Sequence, residues 1–288
     1  MNEKTLNNID AEWTTEIKPS SSLLSINFKE LWKYRDLIML FVKRDFVTVY
    51  KQTILGPIWF FIQPIFTTIV FTVIFGNVAK IPTDGLPQVL FYMSGTIMWG
   101  YFSNCLMKTS DTFIANASIF GKVYFPRLAV PLSVVISNIF AFLIQFALFF
   151  SIFIYYYFSG ANIKPNLYIL LFPVLIIQMA ILGMGVGLWI SSLTTKYRDL
   201  RFLVAFGVQL WMYGTPVVYP LSIVPEKWRW LVALNPMAPI IEFFRYGFLG
   251  QGYVEMNLFL IGIGVSIFIL FTGIIIFNKV EKNFMDTV

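Results

Sequence analysis

Few side chains in this sequence could do chemistry, and their placement excludes most kinds of it. Histidine is absent, which removes imidazole acid–base catalysis, histidine metal sites and histidine-containing triads. The single cysteine, Cys105, lies in an apolar run and cannot form an internal disulfide. Within the long apolar stretches the polar residues are neutral: Gln63, Asn104, Asn138, Gln145, Gln178 and Gln209. Ion-coupled carriers hold ionisable groups at mid-membrane depth, and a proton relay is hard to build from amides. Nor does the chain carry an ATPase of its own. Residues 116–123 (NASIFGKV) come nearest to a phosphate loop, but lack its first glycine and its final Ser or Thr. Gly183, Gly185 and Gly187 sit in an apolar run with no strand before them, and Gly183-x-x-x-Gly187 is a pattern for close helix approach. If this chain moves anything uphill, another chain drives it.

The elements that position these residues are membrane spans. Of the 288 residues, 58% are hydrophobic and 12% charged, with a mean hydropathy of +0.74, whereas soluble domains carry about a quarter charged residues. At about 20 residues per span plus loops, the length suits a handful of helical spans. The apolar runs are unbroken and helix-length, unlike the short alternating segments of a β-barrel. The expected class is an all-α membrane protein with six spans, an N-terminal amphipathic interface helix and both termini cytoplasmic.

In chain order, residues 1–26 read as a cytoplasmic tail. Glu3, Asp10, Glu12 and Glu16 leave no apolar core for a signal peptide. Residues 27–54 read as the amphipathic helix, lying in the plane of the cytoplasmic leaflet. Asn27 and Glu30 form its capping box. Its apolar stripe holds Phe28, Leu31, Trp32, Met39, Val42, Phe46, Val49 and Tyr50, with a break near the middle because Arg35 falls on that stripe and Phe41 off it. Residues 55–278 form the six-span domain. Its spans fall at about 56–75, kinked at Pro64, 88–107, 129–158, 167–193, from 201 to a stop at Pro216, and 258–277. Between the fifth and sixth, residues 221–252 hold two semi-apolar pieces too short to span, the length of re-entrant or interfacial helices. Residues 279–288 form the second tail.

Charge sets the orientation. Lys80, Lys164, Lys227, Arg229 and Arg245 fall on the side away from the N-terminus, and the rest of the 21 lysines and arginines fall with it, which places the N-terminus inside. The net charge of +6 is therefore topology, and no nucleic acid is implied. The polar loop 108–128 is the best coupling point for an outside motor. A short helix at 118–123 would present Lys122, Val123, Tyr124, Phe125 and Arg127 as a basic-aromatic knob, since such residues anchor interfaces.

Lys43-Arg44-Asp45, then Tyr50-Lys51-Gln52-Thr53-x-Leu55-Gly56-Pro57-x-Trp59 and Gln63-Pro64, resemble the N-terminal signature of the permease subunits of type-2 ABC exporters. Lys122 to Arg127 with Pro131, Tyr197-Arg198-Asp199-Leu200, Asn235-Pro236 and Glu242-x-x-Arg245 follow in order. The most similar branch exports polysaccharides: O-antigen, capsule and teichoic acid. The resemblance implies a homodimer in the bacterial inner membrane, bound to two copies of a separate nucleotide-binding subunit. That subunit holds ATP and Mg; this chain binds no cofactor or metal. It further implies that 108–128 couples to the ATPase and that 221–252 forms an external gate. Glu242 and Arg245 would be an ion pair fixing that gate, with Tyr219 and Trp228 beside them, and Arg44, Tyr50 and Lys51 would stand at the cytoplasmic entrance.

Aromatic residues make up 18% of the chain. A ring stacks on the apolar face of a sugar without holding it by charge, so Trp59, Phe60, Tyr92, Trp99, Tyr101, Trp211 and Tyr213 are the residues expected to line a conduit for a lipid-linked glycan. Rival readings are an ABC exporter of a drug or small lipid, an ion-coupled carrier or channel, and an intramembrane enzyme, for which no buried acid–base pair offers itself.

Overall fold

The computed structural model describes residues 28–51, 56–197 and 199–284, and every regular element among them is helical. The helices are α1 (Phe28–Lys33), α2 (Arg35–Lys51), α3 (Trp59–Phe71), α4 (Gln88–Ser110), α5 (Thr112–Phe120), α6 (Ala129–Phe158), α7 (Phe172–Thr194), α8 (Leu200–Tyr213), α9 (Glu226–Ala233), α10 (Met237–Leu249) and α11 (Met256–Phe284). Four segments are long and apolar enough to cross a membrane: Trp59–Val78, Ala129–Phe158, Leu167–Thr194 and Met256–Glu281. The more polar α4 runs at the centre, with most of its side chains buried.

Close helix contact holds α7 between α4 and α11. A Cβ at Gly187 would stand 2.6 Å from that of Thr109, and one at Gly185, on the other side of α7, would stand 2.7 Å from the Leu270 nitrogen. Backbones approach this closely only where side chains vanish, and van der Waals contact then substitutes for a hydrophobic drive that lipid does not supply. The glycine run is thus a two-faced packing surface.

Two apolar clusters mark the ends of the molecule. At one end, Ile38, Phe41 and Val42 of α2 pack with Phe113 and Phe120 of α5, Phe125 of the following loop, and Ile274 and Phe277 of α11. At the other, the phenylalanines of α6, α7 and α10 interlock; Phe146 stacks on Phe172 at 4.5 Å and Phe149 meets Phe244 at 5.3 Å. Much of the aromatic content is spent here on packing. α10 ends at Gly250 in the left-handed conformation, with φ +77°. Its last carbonyls accept from Lys164 N, Asn166 N and Asn166 Nδ2, so the turn between α6 and α7 closes an otherwise open helix end.

Several expectations shift. The break in the N-terminal helix falls at Tyr34, but the face turned to the protein is Ile38, Phe41 and Val42, while Trp32 is 72% exposed and Met39 54%. The helix has two apolar sides, and the sequence pattern does not say which one meets protein. The helix of the coupling loop is Thr112–Phe120, not 118–123, and residues 123–126 carry no regular structure. The last helix runs on to Phe284. The two short pieces before it are indeed helices, α9 and α10. Asn27 of the expected capping box lies outside the described residues.

Candidate functional site

Three polar constellations stand out against the apolar bundle. The first joins α2, α3, α4 and α6. Gln63 lies one turn on from Trp59 and Phe60; Asn104 and Lys108 are four apart on α4; Asn138, Ala141 and Gln145 are three and four apart on α6. Helical spacing puts each set on one face, and all three faces meet at one cavity of about 180 Å³, with Asp45 and Phe46 of α2 at its rim. Lys108 Nζ donates to Asn138 Oδ1 at 3.1 Å, and Asn138 Nδ2 donates to Val134 O. Phe46 stacks on Phe60 with centroids 6.4 Å apart. Four of the six neutral intramembrane residues thus converge. Of the other two, Gln178 is buried with its amide unpaired and Gln209 is exposed. No single residue signals this cavity; the repeated three- and four-residue spacing on separate helices does.

The second constellation is the loop after α5. Lys122, Val123 and Tyr124 are exposed. Phe125 and Arg127 turn inward instead. Phe125 packs between Phe41 and Phe120, at 5.6 and 5.7 Å. Arg127 donates from Nη1 to Glu281 O at 2.8 Å, lies 3.7 Å from the Glu281 carboxylate, and covers the Phe120 ring. Burial lowers its pKa and Glu281 opposes that shift. The exposed tip is therefore tied to α2 and to the end of α11, where Phe113 also stacks on Phe277 at 4.5 Å. Asp111, at the joint of α4 and α5, accepts from Arg201 at 2.7 Å.

At the opposite end stands the third, Glu242 and Arg245, both 1% exposed. Arg245 donates to Ser94 Oγ and to the carbonyls of Phe91, Pro216 and Val217 at 2.7 to 3.2 Å, lies 3.4 Å from Glu242 and rests on the Phe91 ring at 3.7 Å. Glu242 accepts from Tyr253 N at 2.8 Å. One guanidinium thereby pins the start of α4, the turn after α8, and α10 together. Tyr219 is half-buried against the same core, whereas Trp228 on α9 is exposed and does not join the pair.

The aromatic residues divide. Tyr92, Trp99 and Tyr101 are buried within the protomer, Trp211 packs edge-on against Trp99 and Phe102, Phe60 is half-buried, and Trp59 and Tyr213 lie at the surface. At the expected entrance, Arg44 is bound to Asp45 at 2.8 Å and to Asn116, Lys51 is exposed, and the side chain of Tyr50 lies outside the described residues. Arg198 of the Tyr-Arg-Asp-Leu motif also falls outside them. Among the described residues no three carboxylate or thiol groups come together as metal ligands would.

Residues 36–249 match the family described as ABC-2 type transporter. An O-antigen export system permease protein, RfbA, of Klebsiella pneumoniae is 29% identical over 256 residues, covering 87% of this chain and 94% of that protein. Its counterpart in Myxococcus xanthus is 25% identical over 263 residues, 90% of this chain and 98% of the relative. The inner membrane transport permease YadH of Escherichia coli (strain K12) is 26% identical over 220 residues, 73% and 81% of the two chains.

Proposed function

The chain belongs to the ABC-2 type transporter family, and on that premise we propose that it is the membrane-spanning permease subunit of an ATP-driven exporter in the bacterial inner membrane. Its cargo is a lipid-linked polysaccharide of the O-antigen, capsule or teichoic acid kind. The observation that carries the reading is the match to O-antigen export permeases over nearly the whole chain.

On this reading α3, α4, α6, α7, α8 and α11 cross the membrane, with both termini in the cytoplasm. The 14 residues of α8 rise about 21 Å at 1.5 Å each, so the turn after it completes the crossing. α9 and α10 dip in from the outside and return. ATP and Mg belong to a separate nucleotide-binding subunit, two copies of which serve a homodimer of this chain. The exposed Lys122, Val123 and Tyr124 meet that subunit. Phe125 and Arg127, packed behind them, pass the push to α2 and α11 rather than touching the motor. What supports this division is the inward burial of Phe125 and the Arg127–Glu281 pairing. The exposed apolar faces of α3 and α8, including Phe66, Ile69, Phe202 and Phe206, meet lipid and the second copy, with Trp59, Trp211 and Tyr213 placed to line the path. Tyr92, Trp99 and Tyr101 shape the wall behind it.

Deleting the gene tests the reading: surface glycan should disappear and lipid-linked glycan accumulate inside, with recovery on complementation. Lys122→Glu with Tyr124→Ala should leave the permease in the membrane but lose the co-purifying ATPase. Unchanged surface glycan in the deletion strain would contradict the assignment.

A further inference from the structure

We propose that each subunit, by itself, holds the head of the lipid-linked sugar phosphate in the cavity between α2, α3, α4 and α6, with the lipid tail in an apolar groove further along α3. This inference rests on the function proposed above and adds where the substrate is held before it moves. Three observations carry it.

The first is unpaired hydrogen-bonding capacity. The side-chain amides of Gln63, Asn104 and Gln145 line the cavity, the first two exposed and the third half-buried, and none has a hydrogen bond among the described residues. Near the cytoplasmic leaflet such groups are free to bond to a ligand that reaches them from the bilayer. Each primary amide offers two donors and an acceptor, the complement of a sugar hydroxyl. Trp59 and Phe60, on the same wall, supply rings for the apolar face of a pyranose.

Charge is the second. Lys108 has one N–H committed to Asn138 and two to offer. Asp45 at the rim is already neutralised by Arg44 at 2.8 Å. The cavity keeps a net positive group suited to a phosphate. About 180 Å³ equals about six waters of liquid volume, room for one sugar ring and not for a glycan chain.

Continuity along α3 is the third. Within about three turns beyond Gln63, a second cavity of about 160 Å³ is walled mainly by apolar side chains such as Ile65, Ile69, Val73 and Met93, together with Thr68 and Thr72. Polar and basic at the α2 end, apolar beyond: that order fits a lipid whose head sits at the cytoplasmic leaflet and whose tail points into the bilayer.

The test uses the full chain in nanodiscs with native mass spectrometry. The probes are a polyprenyl diphosphate bearing one N-acetylglucosamine, the same lipid phosphate without sugar, and phosphatidylglycerol. Wild type should retain the sugar-bearing lipid best. Asn104→Leu with Gln145→Leu should weaken it roughly tenfold, the loss of two hydrogen bonds, while leaving the sugar-free lipid unaffected. Lys108→Met should weaken both phosphate lipids. Ala141→Trp, which fills the cavity and spares every amide, should exclude the sugar-bearing lipid. It stands in should the double variant fold poorly. Equal retention of phosphatidylglycerol and the sugar-bearing lipid by wild type, or sugar-bearing lipid held unchanged by these variants, would overturn the site. If the deletion strain loses surface glycan while the cavity variants bind and export like wild type, this inference fails alone. If the deletion strain keeps its glycan, the proposed function fails with it.

Discussion

Polar groups gather at both ends of α4, and the two ends treat them oppositely. Near Gln88, Arg245 spends its donors on Ser94, three carbonyls and Glu242. Near Ser110, the side-chain amides of Asn104, Gln145 and Gln63 face a cavity with no hydrogen-bond partner among the described residues. A saturated network rigidifies, whereas an open one invites a ligand. The Gln88 end is thus built to be held in one arrangement, and the Ser110 end to receive something. On the proposed function, with the Ser110 end facing the cytoplasm, an exporter needs that asymmetry.

Breaking the saturated end should cost most. Arg245→Ala strands a buried carboxylate and several carbonyls, for which about 3–5 kcal/mol is typical. A large fall in the thermal unfolding midpoint in detergent is the expected result, and a shift within error would dissolve the contrast. Next comes packing around α7: Gly185→Ala drives a Cβ to within 2.7 Å of the Leu270 nitrogen, an overpacking of about 1–3 kcal/mol. Gly207→Ala meets nothing within 4 Å and should be neutral or stabilising by up to about 1 kcal/mol. The pair sharpens the claim when measured side by side. Arg127→Ala loosens the tie to Glu281 and should cost about 1 kcal/mol, discounted for its partial exposure, with a drop in ATP hydrolysis by the assembled complex. At the open end, Asn104→Leu and Gln145→Leu remove side-chain groups that no described residue pairs. The unfolding midpoint should hold or rise, and a fall comparable to that of Arg245→Ala would show those amides to be structural.

The long apolar helices, the glycine contacts of α7 and the two short helices before α11 could be read from pattern, because length, spacing and small residues act locally; the coupling-loop helix, expected at 118–123, lies at Thr112–Phe120. The ion pair of Glu242 and Arg245 was readable from its three-residue step, though not the three carbonyls brought to Arg245 from elsewhere. What escaped depends on distant chain. Arg127 looks like a free basic knob until Glu281, 154 residues away, is placed beside it. The face of α2 is half legible: Leu31, Val42 and Phe46 pack on protein as the stripe has them, but Trp32 and Met39 are as apolar as Ile38 and Phe41, and only the position of α5 decides between them. The amide residues were individually visible; that four of them share a cavity follows from how α3, α4 and α6 pack.

The central claim is that this chain is a passage without an engine, and reconstitution tests it most directly. Proteoliposomes are loaded with the chain alone, its nucleotide-binding partner alone, or both, and transfer of lipid-linked glycan between leaflets is followed on adding ATP and Mg. The account predicts transfer only with both subunits and ATP. Uphill transfer by the chain alone would contradict it.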